Sequence, residues 1–141
     1  RDSGRILDMQ DVQFFNDIIQ SDLYEMMCAL DLGVDDSTAL WFFKRYEDKI
    51  FVFGYHEARR LGAQDYADYI RKNYPQVRRL IVPHDARVKE WGSGKTRVES
   101  LIDLKFRPIV CPSVSLSDGI FAVRETFSNI YFDENGIKKG L

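Results

Sequence analysis

The chain is poor in cysteine: only Cys28 and Cys111 occur, each inside an apolar, strand-like stretch. No metal-ligand spacing links them, so they are read as buried free thiols of a reducing cytoplasm. Long hydrophobic runs are missing too, and none approaches the roughly 20 residues that span a bilayer. The first residues, RDSGRILDMQ, contain no apolar signal region, which speaks against secretion. They also lack an initiator Met, which predicts a piece of a longer polypeptide. Internal repeats and low-complexity linkers are absent, so one domain is expected. Charge of a single sign is lacking as well: 20 Lys and Arg face 22 Asp and Glu, a net charge of −2. That balance excludes a surface gripping nucleic acid everywhere, but it leaves room for a local basic rim around an acidic site.

What is present is an ordinary globular composition, 45% hydrophobic and 30% charged over 141 residues, enough for a real core. Residues 1–20 are polar with a weak helical rhythm (DVQFFNDII) and read as a linker or an edge helix, with a domain over 21–141. Residues 24–33, YEMMCALDLG, form an apolar run that predicts a buried strand ending near Asp31. TALWFFKR and KIFVFGYHEA, separated by Glu47 and Asp48, predict two further strands in a hairpin. The rhythm then changes. GAQDYADYIRKNY predicts a helix over 62–74, with Ala63, Tyr66, Ala67 and Ile70 on one face and Pro75 beyond its end. VRRLIVPHD (77–85) is a strand, and 94–106 a helix with Val98, Leu101 and Ile102 on one face. Residues 107–112 form a strand, 115–127 a helix capped at Ser117 or Asp118, and NIYFDE an extended piece. A three-strand meander followed by alternating helices and strands predicts an α/β, ribonuclease-H-like mixed sheet with helices on both faces.

Two of these strands close on an aspartate, ALDLG at Asp31 and IVPHD at Asp85. Sites gather at the carboxyl ends of parallel strands. If the two strands are parallel neighbours, both carboxylates leave the sheet at one edge. Two like charges so close repel strongly, and a divalent cation makes the arrangement tolerable. Hard oxygen ligands favour Mg²⁺ or Mn²⁺ over zinc, and ions held this way suit phosphodiester hydrolysis. The competing reading is that each aspartate caps a turn. His84 adjoins Asp85 and would point to the opposite face of a strand, which suits a supporting rather than a ligating role. His56 is read as structural.

GSGKT imitates a phosphate loop without being one. The motif needs a glycine five residues before Gly94, and that position is Lys89. Gly92 and Gly94 instead make a flexible lead-in, and Thr96 is positioned to cap the helix that follows. Lys95 and Arg97 stand either as phosphate contacts or as an ordinary solvated helix start.

Taken together, ALDLGVDDSTALWFF, IVPHDARVKEWGSGKTRVESL and SVSLSDGIFAVRETFSNIYFDE, over roughly residues 28–134, resemble the C-terminal nuclease domain of the large terminase subunit of tailed bacteriophages. The resemblance implies a metal-dependent endonuclease that cuts concatemeric viral DNA during packaging by a two-metal mechanism. It implies that Asp31 and Asp85 are the catalytic metal ligands for two Mg²⁺ or Mn²⁺ ions, and that Gly33 and Asp36 shape the turn after the first strand. Asp118 matches a helix start in the family. The family's third acid comes from a later segment with no match before Leu141, which leaves Asp118, Asp133 and Glu134 as substitutes and predicts a weakly active fragment. Lys89, Lys95, Arg97 and Arg124 are the expected DNA-phosphate contacts, with His84 and Asp36 supporting the ligands. The implied partners are double-stranded DNA, an ATPase motor domain of the same polypeptide, the portal protein and the small terminase subunit. The implied location is the cytoplasm of an infected bacterium. Two alternatives stay open: another ribonuclease-H-like nuclease of resolvase or transposase type, and a non-catalytic docking module of the packaging motor.

Overall fold

The computed structural model describes residues 9–32, 37–47, 49–83, 94–110 and 129–132. Their order is α1 (Met9–Gln20), β1 (Met26–Leu32), β2 (Ser37–Tyr46), β3 (Lys49–Arg59), α2 (Ala63–Asn73), β4 (Arg79–Val82), α3 (Arg97–Asp103), β5 (Arg107–Val110) and β6 (Asn129–Phe132). The six strands form one sheet in the order β5-β4-β1-β2-β3-β6. β1, β2 and β3 make the antiparallel meander, whereas β4 and β5 add in parallel on one side and β6 adds in parallel to β3 on the other. This is the expected ribonuclease-H-like mixed sheet, with β6 as an additional edge strand.

β1 lies in the middle, which explains its continuous apolar sequence: both of its faces are buried. Met26, Cys28 and Leu30 join Leu40 and Phe42 of β2, Leu80 and Val82 of β4, and the helical side chains Tyr66, Ala67, Ile70 and Leu101. Met27 and Ala29 point the other way, toward Trp41, Phe43, Ile50, Val52 and Ile81. Burial removes the Cys28 side chain from solvent altogether and pushes its thiol far above the usual range; a backbone hydrogen bond at Trp41 opposes that shift only in part.

All three described helices cover the Cys28 face. For α2 and α3 the shared core shows this directly. For α1 it follows from register, because Lys44 lies opposite Met26 on one side and Phe51 on the other. Phe51 packs edge-to-face on Phe15 of α1, with centroids 5.1 Å apart, and Ile18 completes that cluster. Lys44 is 4% exposed, and its ammonium donates to the carbonyls of Ile19 and Ser21, both at 2.7 Å. Those carbonyls close the end of α1, where backbone acceptors have no helical partner. A buried lysine thereby fixes the helix end to the sheet. The helix expected over 115–127 lies outside the described residues, as does Cys111.

The hairpin between β2 and β3 turns at Glu47, whose φ of 55° is the left-handed value that tight two-residue hairpins demand. Further along, the β2–β3 register shifts between Phe42 and Phe43, leaving Phe53 as a bulge. Gly54 follows it for a steric reason. The Tyr74 ring stacks on Phe42, with centroids 3.7 Å apart and planes at 14°, over the space where a side chain would stand. A Cβ at Gly54 would strike the Tyr74 hydroxyl and lie 3.2 Å from the Phe42 Cβ.

α2 carries the expected face: Tyr66, Ala67 and Ile70 are buried. Its first turn is held by the Asp65 carboxylate, which accepts from the Gly62 N–H at 3.0 Å, and Pro75 follows its end. α3 begins with a reciprocal box: Thr96 Oγ1 accepts from the Glu99 N–H at 3.1 Å, and Glu99 Oε1 accepts from the Thr96 N–H at 2.9 Å. The cap expected at Thr96 is therefore formed. The buried face of this helix is corrected, however. Arg97, Ser100 and Leu101 point inward, while Ile102 is 54% exposed. Leu101 is buried and Val98 packs against the same core, as expected, so Ile102 is the one residue of the predicted face that turns outward.

Candidate active site

The site begins with the register of β1. Cys28 pairs with Leu80 and Ala29 with Ile81 in parallel β4, so two residues further on Pro83 comes level with Asp31. Pro83 is buried and ends the ladder, since it has no N–H to donate. The condition set by the sequence, adjacent parallel strands ending together, is met by β1 and β4. Asp31 stands near that edge, still paired with β2 and half-buried, on the face shared by Met27 and Ala29. Asp85 follows Pro83 by two residues in the sequence and lies outside the described residues, together with Asp36, His84, Lys89, Asp118, Arg124, Asp133 and Glu134.

One acid was not foreseen. Asp31 pairs with Ala39 on β2, and Ala39 pairs with Glu57 on β3. Glu57 therefore shares the row and the face of Asp31 at two strand spacings, about 9.6 Å. Its carboxylate accepts from the Tyr55 hydroxyl at 2.9 Å, and the Tyr55 ring rests edge-on against Trp41 with centroids 4.6 Å apart. The sequence held half of this signal, the alternation of Tyr55 and Glu57 along β3. The other half is the hairpin register, including the bulge at Phe53, which decides the row in which Glu57 falls. Among the described residues no group of three or more His, Cys, Asp or Glu side chains is placed to hold a metal ion. As a hard oxygen donor at a half-buried strand end, Asp31 suits one position around Mg²⁺ or Mn²⁺.

The expected phosphate contacts divide. Lys95 is exposed and forms an ion pair with Asp103 across α3. That hydrogen bond is the main cause of the upward shift of its ammonium pKa, with the Asp103 charge second. Arg97 is 3% exposed, so its side chain is withdrawn from the surface. It enters the core because it opens a short helix whose inner face it shares with Ser100 and Leu101. His56 stacks flat on Tyr69, with centroids 3.6 Å apart, in keeping with a structural role. No described helix is long and apolar enough to cross a membrane.

No protein-family model and no curated protein matches the sequence. Solved structures do. The nuclease domain of the large terminase g2p from bacteriophage SPP1, crystallised with bound Mn, superposes with a TM-score of 0.54 at 15% identity, covering 94% of this chain and 72% of that one. The P22 large terminase nuclease domain gives a TM-score of 0.50 at 15% identity, over 79% of this chain and 63% of that one. The large terminase of a thermophilic bacteriophage gives 0.50 at 13% identity over 77% of this chain, which spans only 29% of that protein. At such identities the common property is the path of the backbone. The chain has the ribonuclease-H-like fold of the nuclease domains of bacteriophage large terminases.

Proposed function

We propose that the chain is the metal-dependent endonuclease domain of a viral DNA-packaging terminase large subunit and cleaves concatemeric double-stranded DNA. The observation that carries this reading is the parallel pairing of β1 with β4, which brings Asp31 level with Pro83 at one sheet edge, two residues before Asp85. The likeness to terminase nuclease domains, one of them solved with Mn, supports it.

In this proposal Asp31 and Asp85 present anionic oxygens to two Mg²⁺ or Mn²⁺ ions, and His84 and Asp36 steady them. Bound cations at such a site supply Lewis-acid activation of water and stabilisation of the leaving oxygen. The third donor comes from Asp118, Asp133 or Glu134. Lys89, Lys95 and Arg124 hold the phosphate backbone, and Lys95 exchanges Asp103 for a phosphate oxygen when DNA arrives. Backbone contacts of this kind position a duplex without reading its sequence. An ATPase motor on the same polypeptide, the portal protein and the small terminase subunit are the proposed partners, in the cytoplasm of the infected bacterium.

The test is nicking of supercoiled plasmid with about 5 mM Mn²⁺, a concentration that populates a weak carboxylate site. Nicking is expected with Mn²⁺ or Mg²⁺, is abolished by EDTA, and falls to background in Asp31→Asn and Asp85→Asn. Retention of full activity in both variants would refute the assignment. Preference for a four-way junction over linear duplex would instead favour the resolvase-type reading.

A further inference from the structure

The opposite end of the sheet carries a feature that the nuclease reading leaves unused. Asp31 marks the carboxyl end of β1, whereas the amino ends of parallel β4 and β5, Arg79 and Arg107, lie side by side at the other pole. There α2, the turn before β4 and the turn before β5 enclose a surface pocket of about 350 Å³, lined by Arg71, Pro75, Arg78, Lys105 and Phe106. Three of the five lining residues are cations, in a chain whose net charge is −2.

None of the three is paired with a carboxylate among the described residues. Arg71 donates to the Leu104 carbonyl and lies over the Phe106 ring, 4.7 Å from its centroid. Arg78 donates to the carbonyls of Pro75 at 2.9 Å and Val77 at 3.2 Å. Carbonyl partners fix a guanidinium without cancelling its charge. The frame is tied as well. The Arg107 N–H donates to the Arg78 carbonyl at 2.8 Å, and Lys105 holds a left-handed φ of 75° while its N–H closes on Ile102. Neighbouring cations differ in this respect: Arg79 is engaged by Glu25 and Lys95 by Asp103.

We infer that this pocket binds a phosphate group of the DNA backbone, as a second grip remote from the strand-end acids. A carboxylate offers two coplanar oxygens, which one guanidinium fork satisfies. Two anchored guanidiniums and the exposed Lys105 ammonium around one depression suit instead a tetrahedral anion with oxygens to share among them. The choice of DNA rests on the proposed nuclease function, whereas binding at this pocket does not require that the strand-end acids cleave.

The test measures fluorescence anisotropy of a labelled duplex of about 20 base pairs in EDTA, across a salt series, so that cleavage and divalent ions play no part. Lys105→Gly removes one charge at a backbone angle that glycine prefers, and Arg78→Gln/Lys105→Gln removes two. The expected result is a several-fold loss for the single variant and about tenfold or more for the double. Each lost contact should lower the salt slope by about 0.9. Circular dichroism melts should show both variants folded, and competition by inorganic phosphate at millimolar concentration should be weak. Unchanged affinity and slope would overturn the inference. So would an equal loss in Lys49→Gln, which removes the same charge at the same pole but on β3, three strands across the sheet from β4, and so would variants that lose inorganic phosphate binding but keep duplex binding. Displacement by an acidic peptide but not by unlabelled duplex would assign the pocket to a protein partner and overturn it too. Nicking by the Asp31→Asn variant is scored separately, so failure of the nuclease reading remains distinguishable.

Discussion

Replacing Lys44 with methionine removes the ammonium that closes α1 and keeps most of the stem that crosses the core. The wild-type group donates to two carbonyls at 2.7 Å each, at a position 4% exposed. Stranding a buried acceptor costs about 1–3 kcal/mol, so two would cost about 2–6 kcal/mol. Relief of ammonium desolvation offsets part of this, as does water reaching the helix end, and the net expectation is about 2 kcal/mol. For a chain of this size that lowers Tm by about 4–8 °C. Differential scanning calorimetry measures the drop. Amide hydrogen exchange should locate it in 9–21, where α1 loses its fixed end while the central strands keep their protection. The pH dependence gives an independent sign. Desolvation holds the Lys44 pKa below its ordinary 10.5, and attraction to Asp22 opposes it only in part. The unfolded chain therefore binds more protons than the folded one between the lowered value and 10.5. Across that window the Lys44 contribution to stability rises with pH in the wild type and is absent from the variant. The deficit of Lys44→Met should widen on approaching pH 10.5. A variant melting within about 1 °C of wild type, with α1 exchange unchanged, would refute the reasoning.

Gly54→Ala should cost about 1–3 kcal/mol in urea melts through overpacking against Tyr74 and Phe42. Combining it with Tyr74→Phe, which removes the clashing hydroxyl, should recover part of that cost, and strict additivity would count against the packing account. Thr96→Ala should cost about 1 kcal/mol by loss of the α3 capping box, with Thr96→Ser close to wild type. Burial raises the pKa of both Tyr69 and Tyr74 above 10.0. Unfolded tyrosines then lose protons first, so stability should fall as pH rises past about 10, and Tyr74→Phe should flatten that fall in alkaline denaturation.

How much of this was legible in the sequence depends on the range of the interaction. Apolar runs bounded by turn residues reported β1 to β3, and a period-3.6 pattern α2, to within a residue or two, because both arise from burial of side chains close in sequence. The Thr96 cap was legible because its partner is only three residues away. The direction of Arg97 was not, since a basic residue at a helix start is ordinarily solvated and only the packing of α3 draws it inward. Nor was Glu57, whose place beside Asp31 depends on a hairpin register that a single bulge at Phe53 shifts.

The amino-acid order alone determined that a buried apolar strand would end near a carboxylate at residue 31, and that a meander would precede alternating helices and strands. Both follow from local patterns of burial and turn chemistry. Only the tertiary structure decided that β4 lies parallel beside β1, that Lys44 pins α1, and that Arg71, Arg78 and Lys105 converge at the far pole. Those outcomes join residues distant in sequence, and their positions are set by the strand order of one open sheet and the packing of helices against it.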